Sequence, residues 1–534
     1  MVENEQRRSY RIPMKRPVTA WVLTAIAIVG FAGWPMPAGL AQSSPRLNAP
    51  IPAPPSAPPS STSPTPAPPT APAGKSTERV DEIFKLLETG DYAAIAALVK
   101  TSFTPDFIAI RGEYDLTSYL ADCKRRTGGI RRGKINEQGN DAIGFFQSNL
   151  TELWGAVAVS VEPNPPYRMS SLQIQRAKSP KSAASLTPAA EKARLAQVAN
   201  YAAKLAKADL FSGVIAIARN DRPIFTKAYG MADRSFGTAS TVDTRFQVGG
   251  IDKSFTAIAV AQLVETGKLS YDDPLGKFIE YPDRVNAGKV KIKHLLSHTS
   301  GLGDYYTSKY GANVRRLKDL QSYLSILDRK PPDFEPGTTL QDSSVGYLLL
   351  GRIIELASGE DYYEYIQHHI FQPAGMQHSF QDFLQRSNPK SAIPYEDYFD
   401  KDHFVTNIYG YVSPPPARGA PDSATVSTVE DLVRFVTALR TGKLISPATY
   451  QLMTSPKPEL GAKTYGYGFM VNKSLDERDI IGHDGDALGL CAEYDLIRDL
   501  KEPYTVVVLS NTSTIGHAVA ETIISLYQSV PAQQ

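Results

Sequence analysis

Lys253 stands in the first turn of a segment whose Phe255, Ile258, Ala259 and Leu263 repeat at helical spacing, with Gly267 placed to end it. A side chain three residues before a lysine on such a helix shares its face. A hydroxyl there could be activated by the amine, and the helix N-terminus would favour the negative charge that develops on attack. The residue three before Lys253 is Gly250, which has no side chain to attack with. Two further places hold side chains that move protons. Asp342-Ser343-Ser344 precedes the apolar run Val345-Gly346-Tyr347-Leu348-Leu349-Leu350, and His483-Asp484-Gly485 lies ahead of a late strand pattern at 506–509.

The segment Phe246-Gln247-Val248-Gly249-Gly250-Ile251-Asp252-Lys253 resembles the first motif of the penicillin-recognising serine hydrolases: the class C β-lactamases, penicillin-binding proteins and related esterases. His294-Leu295-Leu296-Ser297-His298-Thr299-Ser300-Gly301-Leu302 resembles that family's most recognisable stretch. Phe211-Ser212-Gly213-Val214, Lys227-Ala228-Tyr229-Gly230, Asp272-Asp273-Pro274-Leu275, Pro373-Ala374-Gly375-Met376 and Leu509-Ser510-Asn511 follow the family's order over about 300 residues. The resemblance implies that Gly250 occupies the nucleophile's position. It implies that Asp342 occupies the place of a tyrosine base and Ser344 that of an asparagine. His483-Asp484-Gly485 then stands for the third motif, with the backbone N–H groups of Gly250 and Asp486 as the oxyanion hole. Backbone donors survive a serine-to-glycine change, so the hole is expected to persist. Ser423 and Ala424 stand where the family carries two glycines.

Scaffold segments are therefore kept while pocket positions differ. One reading is a non-catalytic or strongly impaired binding homologue; a single change at position 250 would have left a tyrosine at 342. The other is a working esterase, amidase or peptidase in which Asp342 orients a water beside Lys253, or in which Ser254, Asp252 or Ser344 replaces the missing serine. A buried lysine without its usual partners is costly. Asp342 is expected to supply the counter-charge within ~4 Å, which makes the lysine a poor base. Gly250→Ser is expected to cost folding little unless the backbone angle there is unusual.

The elements that must hold these residues point to an α/β (α+β) domain over about 191–530. Strands are expected at 214–218 and 223–227, joined by a turn at Asn220-Asp221, and at 506–509. Strands at both ends with helices between imply one antiparallel sheet flanked by helices, with a helical subdomain and the pocket between them. A loop at 395–411 containing Tyr398, Phe399, Phe404 and Tyr409 could cover that pocket or simply pack on the surface. Ahead of this domain, 76–177 reads as a small α+β unit. Its first helix has Ser76 as cap and Val80, Ile83, Phe84 and Leu87 as core face, and a hairpin is expected near its end. Element order and the Gly128-Gly129 break give it a resemblance to NTF2-like domains. Residues 178–190 form a linker.

The first 41 residues read as a signal peptide. Arg7, Arg8, Arg11, Lys15 and Arg16 precede an apolar run at 18–34 and the small residues around Ala41. Residues 42–75, with 12 prolines, read as an extended tether. A periplasmic or secreted protein is expected, touching membrane only through the N-terminal segment if that is retained. The net charge of +2 gives no sign of a nucleic-acid partner. Expected partners are small-molecule or peptide ligands of the cell envelope. No cofactor is expected and no metal-ligand spacing is visible. Cys123 and Cys491, the only two cysteines, fall in different units and are expected to be unpaired thiols.

Overall fold

A computed structural model describes residues 70–528, apart from 151, 178–186, 281–283, 382–389, 401–402, 409–415, 474–478, 488, 499, 501 and 514. The expected signal peptide, nearly all of the proline-rich tether and most of the 178–190 linker lie outside the described residues. No described helix is long and apolar enough to cross a membrane.

The first unit begins with four helices: α1 (Lys75–Thr89), α2 (Tyr92–Ser102), α3 (Pro105–Arg111) and α4 (Glu113–Thr127). An antiparallel meander follows: β1 (Ile130–Gln138), β2 (Asp141–Ser148), β3 (Trp154–Val161) and β4 (Met169–Arg176). Val80, Ile83, Phe84 and Leu87 of α1 are buried against Val157 and Val159. The approach is close enough that a Cβ at Gly144 would lie 2.3 Å from a Val80 methyl. Ser76 does not cap α1. Gly74, at φ 91°, holds that place, while Ser76 sits inside the first turn and donates to Glu137 at 2.7 Å. β1 and β2 were not anticipated. β1 is an exposed edge strand rich in charge, so it carries no apolar alternation to read.

The second unit opens on α5 (Pro188–Lys207), capped by Thr187. β5 (Gly213–Arg219) and β6 (Arg222–Tyr229) follow. The chain then builds a helical region that includes α6 (Asp252–Glu265), α7 (Ser344–Ser358) and α8 (Val429–Arg440). It returns to the sheet as β7 (Met470–Lys473), β8 (Asp479–Ala487), β9 (Leu490–Ile497) and β10 (Tyr504–Ser510), and closes on α9 (Ile515–Gln528). The six strands run β7-β8-β9-β10-β5-β6, every pair antiparallel. Strands from both ends of the domain thus share one antiparallel sheet, as expected, and the first and last of them are neighbours. Alternation along β5 divides the core. Val214, Ala216 and Ala218 pack on the helical region, while Ile215 and Ile217 pack under α5 and α9. The small unit touches this second face through Leu150 and through Arg176, 3.4 Å from Glu521.

The 395–411 segment is not a plain loop. Strands Tyr395–Asp400 and His403–Ile408 pair as a hairpin in which Phe399 and Phe404 are backbone register partners. Its base is tied down: Tyr395 N donates to Asn511 O, and the Tyr395 hydroxyl accepts from Arg234 N at 2.6 Å. Tyr409 lies outside the described residues.

Candidate active site

Gly250 sits in a short 3₁₀ turn (Gly249–Ile251) that runs directly into α6. Almost every residue of α6 is buried, Lys253 included. Gly249 takes a left-handed φ of 51°, but Gly250 does not, so backbone conformation alone does not require a glycine at 250. Space does. A Cβ built on Gly250 would lie 2.7 Å from the carbonyl oxygen of Asp484 and 3.5 Å from the His483 ring. The expectation that a serine fits here at little cost is corrected: β8 closes onto the turn where a side chain would stand. That carbonyl is itself held by His483 Nδ1 at 2.6 Å. Gly485, next along β8, could carry no side chain either, because its Cβ would fall 1.9 Å from Val248 O and 2.8 Å from Gly250 N.

Lys253 Nζ donates to Asp342 Oδ1 at 2.7 Å. Their side chains are 9% and 21% exposed. Burial is the largest single influence and pulls the lysine's pKa down, but the charge and hydrogen bond of Asp342, with the Asp422 and Asp304 carboxylates, together outweigh it and the net shift is upward. Burial raises the Asp342 carboxyl, yet Lys253 and His298 bring it well below the usual carboxylate range. The two form a charged pair, and an ammonium so held is a poor proton acceptor.

His298 belongs to the 294–302 stretch, and the sequence alone gives it no role in the site. Its Nε2 lies 3.0 Å from Asp342 Oδ1. Its φ of 57° is unusual for a side-chain-bearing residue, and its Nδ1 accepts the Ser343 N–H at 3.0 Å. With Nδ1 used as acceptor the ring is neutral and carries its proton on Nε2, facing Asp342. Burial lowers its pKa and favours the same form. Asp304 and Asp422 were also missed. Asp304 accepts from Ser344 N at 3.0 Å and Ser344 Oγ at 2.5 Å. Asp422 accepts from the Tyr305 hydroxyl at 2.7 Å, and burial pushes its pKa up to about 6. Neither has motif spacing with Lys253; only folding assembles them.

Ser344 opens α7 and is committed to Asp304. Ser254 is fully buried, bonded to Gly468 O at 2.8 Å and to the Tyr494 hydroxyl at 2.7 Å. Asp252 is buried away from Lys253, against Thr425 and Gln381, and burial raises its carboxyl to about 7. None of the three is a free nucleophile beside Lys253. The side chain of Asp486 turns to the α9 face of the sheet, where His517 Nε2 is 3.5 Å away.

His483 Nδ1–H donates to Asp484 O, and Nε2 accepts from the Tyr465 hydroxyl at 2.7 Å. Burial, with the nearby Lys253 charge, lowers its pKa to about 3. The unfolded chain titrates near 6.5. A base whose folded pKa is depressed contributes stability above its unfolded pKa and loses it as pH falls toward the folded one. The stability advantage of the wild type over His483→Asn should therefore shrink by ~1.4 kcal/mol per pH unit between about pH 6 and 4. Comparing the two proteins cancels Asp252 and Asp422, whose raised pKa values act in the opposite direction over that range. Urea unfolding at pH 7, 5.5 and 4 measures it; a constant difference would mean that the ring is protonated in the fold.

Comparison with known proteins finds relatives of this chain. The family model described as Beta-lactamase matches residues 198–526. "Putative penicillin-binding protein PbpX" of Bacillus subtilis (strain 168) is 30% identical over 355 residues, covering 65% of this chain and 85% of that one. The teichoic acid D-alanine hydrolase of Staphylococcus aureus (strain MRSA252) is 28% identical over 275 residues, covering 50% and 64%. A solved penicillin-binding protein from Bacillus halodurans, 29% identical, superposes with a TM-score of 0.52 over 59% of this chain and 96% of that one. A match over most of the second unit, joined to a like fold, leaves one assignment: the chain belongs to the Beta-lactamase family, with penicillin-binding proteins and a teichoic acid D-alanine hydrolase among its relatives.

Proposed function

We propose that this protein is a ligand-binding member of its family that does not carry out efficient acyl transfer, working in the cell envelope. The observation that carries this reading is the filled space at Gly250. The residue one turn before Lys253 lacks a side chain, and a Cβ there would meet the Asp484 carbonyl oxygen at 2.7 Å. The lysine is also paired with Asp342, so neither a nucleophile nor a free base stands at the head of α6. The names of the relatives support an envelope ligand: cell-wall peptides, β-lactam-like molecules or small esters. The N-terminal residues read as a signal peptide support export.

A second reading, a residual esterase or amidase, is favoured by one feature. Asp342 and His298 form a carboxylate–imidazole contact of 3.0 Å beside Lys253, a pair able to orient a water. Intact-mass spectrometry after incubation with a fluorophosphonate or a reactive β-lactam separates the two. No stoichiometric adduct is expected. An adduct mapped to Lys253 or a neighbouring serine would overturn the binding reading.

A further inference from the structure

The sheet face opposite the candidate site holds a second convergence of reactive side chains. Among the described residues, Asp486, Cys491 and His517 each place a ligand-type atom within 4.8 Å of the others. Asp486 and Cys491 are cross-strand partners on β8 and β9, and His517 reaches them from the first turn of α9. The site is enclosed: Cys491 is fully buried, and the His517 and Asp486 side chains are only 13% and 18% exposed. Neither carboxylate oxygen of Asp486 accepts a hydrogen bond, although both are buried. A buried carboxylate without donors is costly, and something should compensate it.

Two details show how. His517 Nδ1 lies 2.8 Å from Glu493 Oε2. If Nδ1–H donates there, Nε2 is left with its lone pair facing Asp486 and Cys491. A carboxylate that fixes a ligand histidine's tautomer in this way is the usual outer partner of a metal-bound imidazole. The neighbouring glycine also matters. A Cβ at Gly516 would fall 2.8 Å from Cys491 Sγ, so a glycine there gives the sulfur its room.

We propose that Asp486, Cys491 and His517 bind a divalent transition-metal ion of the zinc type, with Glu493 orienting the histidine. Sulfur, nitrogen and oxygen ligands at about 2.0–2.3 Å from a tetrahedral ion stand ~3.3–3.8 Å from one another. The 3.5 Å between His517 Nε2 and Asp486 Oδ2 already has that value, and the widest pair needs to close by ~1 Å. A thiolate and a carboxylate balance the two positive charges, and the thiol proton leaves to solvent on binding. Three protein ligands leave the fourth position to water. Arg126 of α4 also acts electrostatically on Asp486, but it is engaged by Asp122 at 2.5 Å. The ion would staple α9 to the β8–β9 hairpin, immediately after the strand segment that closes on Gly250. The rival arrangement is an imidazolium held between Glu493 and Asp486 with a neutral thiol beside it. Neither cysteine has metal-ligand spacing in the sequence, because the ligands come from two strands and a distant helix.

The full chain, stripped with a chelator and dialysed, is titrated with Zn²⁺ against a chromogenic competitor and separately with Co²⁺. One equivalent of either metal is expected to bind, and Co²⁺ should give a near-ultraviolet thiolate charge-transfer band. Cys491→Ser should lose the band and weaken binding by at least ~100-fold, and Glu493→Gln should weaken it ~10–100-fold. Cys123→Ser decides the matter without relying on the folding of a Cys491 variant. Cys491 is then the only thiol in the chain, so a band there identifies it as the ligand. Absence of a band and of a saturable equivalent in both wild type and Cys123→Ser would overturn the proposal and leave the imidazolium arrangement. Retention of the band in Cys491→Ser would overturn it too.

Discussion

Replacing Asp342 with alanine is expected to destabilise the protein by ~3 kcal/mol. The loss comes less from a missing contact than from what is left behind. Lys253 stays buried at 9% exposure with its 2.7 Å partner gone, and removing one member of a buried pair typically costs ~3–5 kcal/mol. The lower end applies here. Asp304 and Asp422 already act on the Lys253 charge from nearby, and the 21% exposure of the Asp342 side chain gives water a way in. Adding Lys253→Met should recover most of the loss, since an apolar side chain of similar length needs no counter-charge. A double-mutant cycle by urea denaturation reads the coupling directly, with ~2–3 kcal/mol expected between contacting residues. Additive effects would mean that Lys253 finds another partner, and that the pair does not hold the pocket together.

The domain was legible because its signals are local and ordered. Buried strands such as Val506-Val507-Val508-Leu509, the helix after Gly250 and the 294–302 stretch each report their own structure within a few residues. The Lys253–Asp342 contact was also within reach, because family order places both residues in one pocket and a buried ammonium needs an anion. What could not be read depends on distances between remote segments. Whether a serine fits at 250 is decided by the carbonyl of Asp484, a backbone atom more than two hundred positions away that has no residue-type signature. Asp304, Asp422 and the His298 ring reach the site by tertiary placement, and the left-handed backbone of His298 is invisible in its letter. β1 failed for another reason: an exposed, basic edge strand has no apolar period to detect. The cluster at Cys491 has no spacing at all along the chain.

Restoring acyl transfer is expected to need two substitutions, because the site departs from a working arrangement in two independent ways. Gly250→Ser supplies a hydroxyl on the lysine's face of the helix, but its Cβ must displace the Asp484 carbonyl from 2.7 Å. Overpacking of this kind costs ~1–3 kcal/mol. Gly250→Ala carries the same Cβ without the hydroxyl, so it should lose equal stability and gain no activity, which isolates the steric effect. In the serine variant Lys253 remains held by Asp342, with its pKa raised, and the phenols of Tyr465 and Tyr347 are committed to His483 Nε2 and the Leu296 carbonyl. Esterase turnover of p-nitrophenyl substrates should therefore be weak. Adding Asp342→Tyr releases the lysine and places a hydroxyl where the resemblance puts the family's base. General-base assistance is worth ~10²–10⁴-fold, and the double variant should exceed Gly250→Ser by about that factor. Asp342→Tyr alone should stay inactive, having no nucleophile to assist. Full activity from Gly250→Ser alone would show that Asp342 leaves the lysine free to act, and that only the missing hydroxyl separates this protein from a working hydrolase.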